Sequence, residues 1–275
     1  MSGFFAALAR ESFLQHALIA GLLASLGCGV IGTYVVAKRI GFVAGGIAHS
    51  VLGGMGIAYF LGASPLTGAL AAALVAALLI GWVNLRLRQN EDTIIAALWA
   101  VGMAIGVLFI SRTPGYNADL MSYLFGNILM VSRADLHVMA VLDAVTLLIV
   151  TLFSKQFLAV SFDEEFARVR GIHVELFHLL LLCLVALTVV VLIQLVGLIL
   201  VLALLVLPAA IAAQYLARLL PIMALAVVLG MAFTCGGLAL SYAPDLPAGA
   251  SIILLAGAVY LVSLVAGRLL SWRHR

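Results

Sequence analysis

A single histidine, His49, stands inside the run GFVAGGIAHSVLGGMGIAYFLG, residues 41–62, which is apolar and long enough to cross a bilayer. An ionisable side chain at that depth is costly and marks a functional position, and imidazole is the commonest side-chain ligand of transition metals. Glycines on either side let other helices or a bare ion approach closely. Passage of a metal ion is therefore the first chemistry to test. Asp143 is the second candidate, midway along a later apolar run that has His137 nearer its outer end. A carboxylate there is either paired or turned to a cavity, where it could serve as a second metal ligand. The plainer reading is an Asp hydrogen-bonded to neighbouring hydroxyls or amides, and for His49 the plainer reading is a neutral ring satisfied by a backbone carbonyl. Cys28, Cys183 and Cys235 lie far apart in apolar runs and are odd in number, so they support neither a disulfide framework nor a CxxC metal site.

The elements that must position these groups follow from composition. Hydrophobic residues make up 66% of the 275-residue chain and charged residues 9%, and the mean hydropathy is +1.29, against roughly 25% charged residues in an ordinary soluble domain. The fold class is an all-α polytopic membrane protein, a single transmembrane domain over 1–275, since no stretch can form a separate soluble domain. A bilayer core of about 30 Å asks for about 20 apolar residues per helix. On that ruler the spans fall at 14–36, 41–62, 65–85, 92–111, 134–153, 176–196, 198–217, 221–242 and 248–270. The breakers between them are Ser64-Pro65, the run Arg86 to Asp92, Thr113-Pro114-Gly115, Pro221, and Ala243 to Pro247. The first apolar run is too long for a signal-peptide core and is expected to remain as a helix. LMSYLFGNILMV, 120–131, is too short to span and reads as a broken or re-entrant helix packed on protein.

Lys and Arg prefer cytoplasmic loops. If the connector with Arg86 and Arg88 is cytoplasmic, eleven of the fourteen basic residues fall on that side and only Arg10, Arg112 and Arg133 do not. The N-terminus is then outside and the C-terminus cytoplasmic. The same bias accounts for the net charge of +3 without a nucleic-acid partner. One cytoplasmic connector differs from the rest: SKQFLAVSFDEEFARVRGIHVELFH, 154–178, is long and mixed in charge. Asp163 can cap a short helix near 161–172, with Glu164 and Glu165 in its first turn, Arg168 and Arg170 near its end, and Gly171 stopping it. Such a helix suits docking into a partner's groove, or is simply a solvated loop helix.

Five motifs, in order along the chain, point to one family. They are GTYVVAKRIGFVAGGIAHSVLGG with Arg39, Phe42, His49 and Gly53; EDTIIAALWAVGMAIGVLFIS with Glu91, Ala96, Gly102 and Gly106; LFGNIL at 124–129; FDEEFARVRGI with Asp163, Glu165, Ala167 and Gly171; and GLILVLALLVLPAAIAAQYLA with Leu207, Pro208, Ala209 and Ala210. The sequence resembles the membrane permeases of zinc and manganese uptake ABC transporters over essentially its whole length. The resemblance implies a homodimer in the lipid of a bacterial cytoplasmic membrane, a separate cytoplasmic ATP-binding subunit gripping Asp163, Glu165, Ala167, Arg168 and Gly171, and an extracytoplasmic metal-binding protein. No permanent cofactor is implied; a divalent metal ion is the cargo, zinc first, then manganese or iron. There is one departure. Many members carry an Asp four residues before the His, where this chain has Gly45, so the α-helical N,O pair that shares one face is missing.

Other polar groups have plain readings. Gln194 and Gln214 read as interhelical hydrogen-bond partners, His173 and His178 as residues at the cytoplasmic interface, and the pairs Gly41/Gly45 and Gly102/Gly106 as close helix packing. The chain has no GxxxxGK[ST] loop, so it is not the ATP-hydrolysing subunit, and it has no GxSxG or HExxH. Two other classes stay open: a proton-coupled secondary metal carrier that titrates His49 and Asp143, and a scaffolding membrane subunit. The docking helix argues against the first and the buried histidine against the second.

Overall fold

The computed structural model describes residues 7–87, 91–113, 126, 128–242, 244 and 246–273, with no account of the side chains of 86, 87, 91, 194, 195 and 268–273. Among the described residues nine helices are long and apolar enough to cross a membrane. In hydrocarbon every backbone polar group must be satisfied within its own segment, which long apolar runs achieve only as helices. They are α1 (Ser12–Ala37), α2 (Gly41–Phe60), α3 (Pro65–Leu87), α4 (Glu91–Arg112), α5 (Arg133–Leu152), α8 (Val174–Val196), α9 (Leu198–Tyr215), α10 (Leu219–Tyr242) and α11 (Ala248–Arg273), with the shorter α6 (Ser154–Phe162) and α7 (Glu164–Val169) between α5 and α8. Each spanning helix ends within one turn of its expected place. The expected re-entrant segment, 120–131, lies largely outside the described residues. Within it the structure describes Gly126 and a 3-10 turn, Ile128–Met130.

Three spans form the interior. α1, α2 and α8 each bury 72% of their spanning window, whereas α4 buries 11%. α1 is the axis of one half, packing on α10, α9, α5 and α8, and α2 is held between α4 and α3. Small residues set these approaches. A Cβ at Gly53 would stand 2.7 Å from the Gly102 carbonyl oxygen, one at Gly56 2.7 Å from that of Gly106, and one at Gly106 2.6 Å from that of Leu52. In α9, Gly32 of α1 abuts the backbone of Leu205, less than a turn before the buried, helix-interior Pro208. Ser25 and Thr234 join α1 to α10 through a 3.2 Å hydroxyl pair. Gln214 bridges α9 to α11 by accepting from Ser263 at 2.8 Å.

The turn from α1 to α2 takes three residues, Lys38, Arg39 and Ile40. Arg39 adopts φ 59°, and its N–H and that of Ile40 donate to Val36 and Val35. A non-glycine residue in that region costs about 1 kcal/mol or more, so the surroundings must hold it. Lys38 does so: its Nζ donates to the Val160 carbonyl at 3.0 Å and to Glu164 at 3.1 Å. The contact ties this turn to the 154–173 connector and puts both at one end of the bundle.

Candidate functional site

His49 lies on the α2 face that meets α4. It is 9% exposed, and its ring stacks on the indole of Trp99 with centroids 3.9 Å apart and planes at 10°. Neither ring nitrogen is in a hydrogen bond among the described residues. Ser50, the next residue, anchors the seam by donating to Gly46 at 2.8 Å and to Leu98 of α4 at 3.3 Å. Gly45, one turn before His49, and Gly41 behave unlike the other glycines of α2. A Cβ at Gly45 would meet only Trp99 Cζ3, at 4.0 Å, and one at Gly41 only Val206 at 3.8 Å, both ordinary contacts. Close packing, expected for the Gly41/Gly45 pair, is therefore not what requires glycine at these two positions. The steric demand falls on Gly46, Gly53, Gly54 and Gly56, whose neighbours are the chain of α4 or α3.

Asp143 is elsewhere. α5 packs on α1 and α8, and its Asp143 is 3% exposed against Gly27, whose added Cβ would lie 2.5 Å from Oδ1. Thr188 of α8 borders the same spot, and both its hydroxyl and Asp143 Oδ2 lack a hydrogen-bond partner among the described residues. His49 and Asp143 thus face different neighbours within the chain. No group of three or more His, Cys, Asp or Glu fit for a metal occurs among the described residues, so a full coordination shell needs donors from beyond this arrangement. His178 is 5% exposed, with both ring nitrogens unpartnered among the described residues, and it stands near the start of α8, at the end of the bundle that carries Lys38.

Two cavities flank α2 and α4. One of about 540 Å³ lies between α2, α3 and α4, with Ser50 and Thr67 among otherwise apolar walls and no charged lining, which makes it a poor ion path. The other, about 660 Å³, opens at the Lys38 end of the bundle and is lined by Phe42, Asp92, Thr93 and Ala96.

At that same end the connector forms a second candidate surface. Asp163 caps α7 by accepting from the Phe166 N–H at 2.9 Å, Glu164 and Glu165 occupy the first turn and Arg168 the last. Gly171 has φ 76°, which lets the Ile172 N–H return to the Ala167 carbonyl at 3.0 Å. Ala167 is the buried side of this helix, and Glu165 and Arg168 are exposed. α6, a separate helix absent from the sequence reading, carries Phe157 into a cluster with Tyr34 at 5.6 Å and Phe177 at 5.7 Å. The connector is thereby fastened to α1 and α8. Gly126 of the LFGNIL motif, with φ 65°, presses on the backbone of Val196 and Gly197 at the α8–α9 break, an approach only glycine permits.

Residues 10–267 match the ABC 3 transport family. The chain belongs to that family. It is 49% identical over 259 residues to an uncharacterized membrane protein of Synechocystis, with 94% of this chain and 92% of that one covered. It is 37% identical to the manganese transport system membrane protein MntC of Halalkalibacterium halodurans, over 94% of this chain and 89% of that one. Its fold matches a chain of the solved structure of PsaBC from Streptococcus pneumoniae in complex with Fab, with TM-score 0.85, 32% identity, and 95% and 94% of the two chains covered. Within this ABC 3 transport chain, the features that sequence reasoning passed over are Trp99, the Lys38–Glu164 pair, and the Gly27–Asp143–Thr188 contact. Trp99 lies in a motif already singled out, but no sequence signal pairs it with His49.

Proposed function

We propose that this chain is the membrane permease of an importer for divalent transition-metal ions, zinc first and manganese or iron after it. The observation that carries the reading is His49: a buried imidazole at mid-span of α2, free of hydrogen bonds among the described residues, in a chain whose relatives include a manganese transport system membrane protein. An ionisable side chain at that depth is costly unless it has a partner or serves a pathway, and ligation of a passing cation supplies one. With no nucleotide-binding loop of its own, the chain depends on a separate cytoplasmic ATPase, and the Asp163–Gly171 helix is the docking element. A homodimer gives a second His49, and an extracytoplasmic binding protein delivers the ion. The N-terminus is outside, and the Lys38 end of the bundle faces the cytoplasm. Metal moves by alternating access, with closure of the ATPase pair passed through α6 and α7 to α1 and α8, on which they are packed.

The test is uptake of a panel of divalent metals into proteoliposomes holding this chain with its ATPase and binding protein, with and without ATP. ATP-dependent entry of one metal is expected, abolished by His49→Ala while the complex still co-purifies. Unchanged entry in that variant refutes the role of His49.

A further inference from the structure

The arrangement around Trp99 extends the metal-import reading, on which this inference rests. A parallel stack covers one face of the His49 imidazole and leaves the ring edge, where both nitrogens lie, open to a ligand in the ring plane. Trp99 is itself braced by Phe42, 6.1 Å away on α2. Ala96 is one turn before Trp99 on α4, and Phe42 is two turns before His49 on α2, so the cavity lined by Phe42, Asp92, Thr93 and Ala96 continues the same seam toward the Lys38 end. By helical rise it lies on the order of 10 Å from His49. The indole stands between the two.

We propose that Trp99 positions the His49 imidazole by stacking and partitions the ion at His49 from the cavity that carries the Asp92 carboxylate. A divalent cation stripped of water cannot cross an apolar two-ring contact, because leaving its ligands without replacement is costly. Release toward the cavity therefore requires the indole to swing aside. Gly45 leaves room for that motion, since nothing else in the packing of α2 requires a glycine there and the ring edge at Cζ3 is its only close neighbour. Beyond the ring, Asp92 offers an oxygen ligand at the cavity wall.

The experiment uses the whole complex in proteoliposomes with zinc and manganese as probes, comparing Trp99→Ala, Trp99→Leu, which keeps bulk without an aromatic face, and Trp99→Phe. Loss of the stack is expected to raise KM for ATP-driven uptake about three- to tenfold, and to permit zinc exchange across the vesicle membrane without ATP. Phe should restore most of both properties. A lower maximal rate alone in Leu or Ala, with wild-type KM and no ATP-independent exchange, overturns the proposal while the import reading stands. A wild-type complex that imports neither metal overturns the import reading and this inference with it.

Discussion

Gly53→Ala and Gly45→Ala place the same methyl group on one helix, two turns apart, and should differ sharply. At Gly53 the new Cβ lies 2.7 Å from the Gly102 carbonyl oxygen and 3.3 Å from its Cα, atoms of α4 backbone that no rotamer change can move. A relaxed carbon–oxygen contact is about 3.3–3.6 Å, so α2 and α4 must part by roughly half an ångström or more. Overpacking of that kind costs about 1–3 kcal/mol. At Gly45 the Cβ meets one ring carbon at 4.0 Å, which is relaxed contact. The usual helix-propensity gain of about 1 kcal/mol from Gly to Ala contributes little, because separated transmembrane helices stay helical in the unfolded reference state. Denaturation equilibria in mixed micelles should therefore show a loss of about 1–3 kcal/mol for Gly53→Ala and a change within about 0.5 kcal/mol for Gly45→Ala. Metal uptake should fall in the first variant, since the seam that holds His49 is pried open. Equal losses in the two, or a larger loss at Gly45, refute the packing argument.

Three further outcomes are expected. Lys38→Met removes two hydrogen bonds that hold the connector to the α1–α2 turn; the half-exposed ion pair contributes about 0–1 kcal/mol and the bond to Val160 about 1.5–3. Amide exchange across 160–170 should quicken, and uptake per ATP hydrolysed should fall with assembly intact; an unchanged exchange pattern contradicts the tether. Asp163→Ala deletes the cap of a six-residue helix at a cost of about 1 kcal/mol, so the ATPase should co-purify less well, while Asp163→Asn should retain it; equal recovery in both argues against capping as the basis of docking. Gly27→Ala drives a methyl into Asp143 and should destabilise by about 1–3 kcal/mol. Shortening the partner in Gly27→Ala/Asp143→Ala should recover part of that loss, whereas strictly additive losses in the double-mutant cycle would mean the two residues do not touch.

The helices were legible because the bilayer imposes a length and a polarity that a linear chain must display, and Pro65, the Arg86–Asp92 run and Pro221 mark their limits as sequence. The cap at Asp163 and the stop at Gly171 were legible for a similar reason: each acts within a few residues of itself. α6 was not, because SKQFLAVSF has the length of a loop and becomes a helix by seating Phe157 on Tyr34 and Phe177. The glycines show the same division. Sequence groups Gly45 with Gly102 and Gly106, and only the path of α4 reveals that Gly53 touches backbone while Gly45 touches a ring edge. That the His178 ring is buried at the start of α8 is likewise a matter of packing.

By itself the sequence determined the class of protein, its nine crossings, the buried histidine and the capped helix, since hydropathy, breakers and caps are local properties. Tertiary structure decided what His49 faces, that Asp143 belongs to α1 and α8, and that Lys38 reaches Glu164 across 126 residues. Those pairings depend on which helices become neighbours. In a chain whose spans are apolar all round, that choice is made by the fit of small residues against backbone, which no single segment displays.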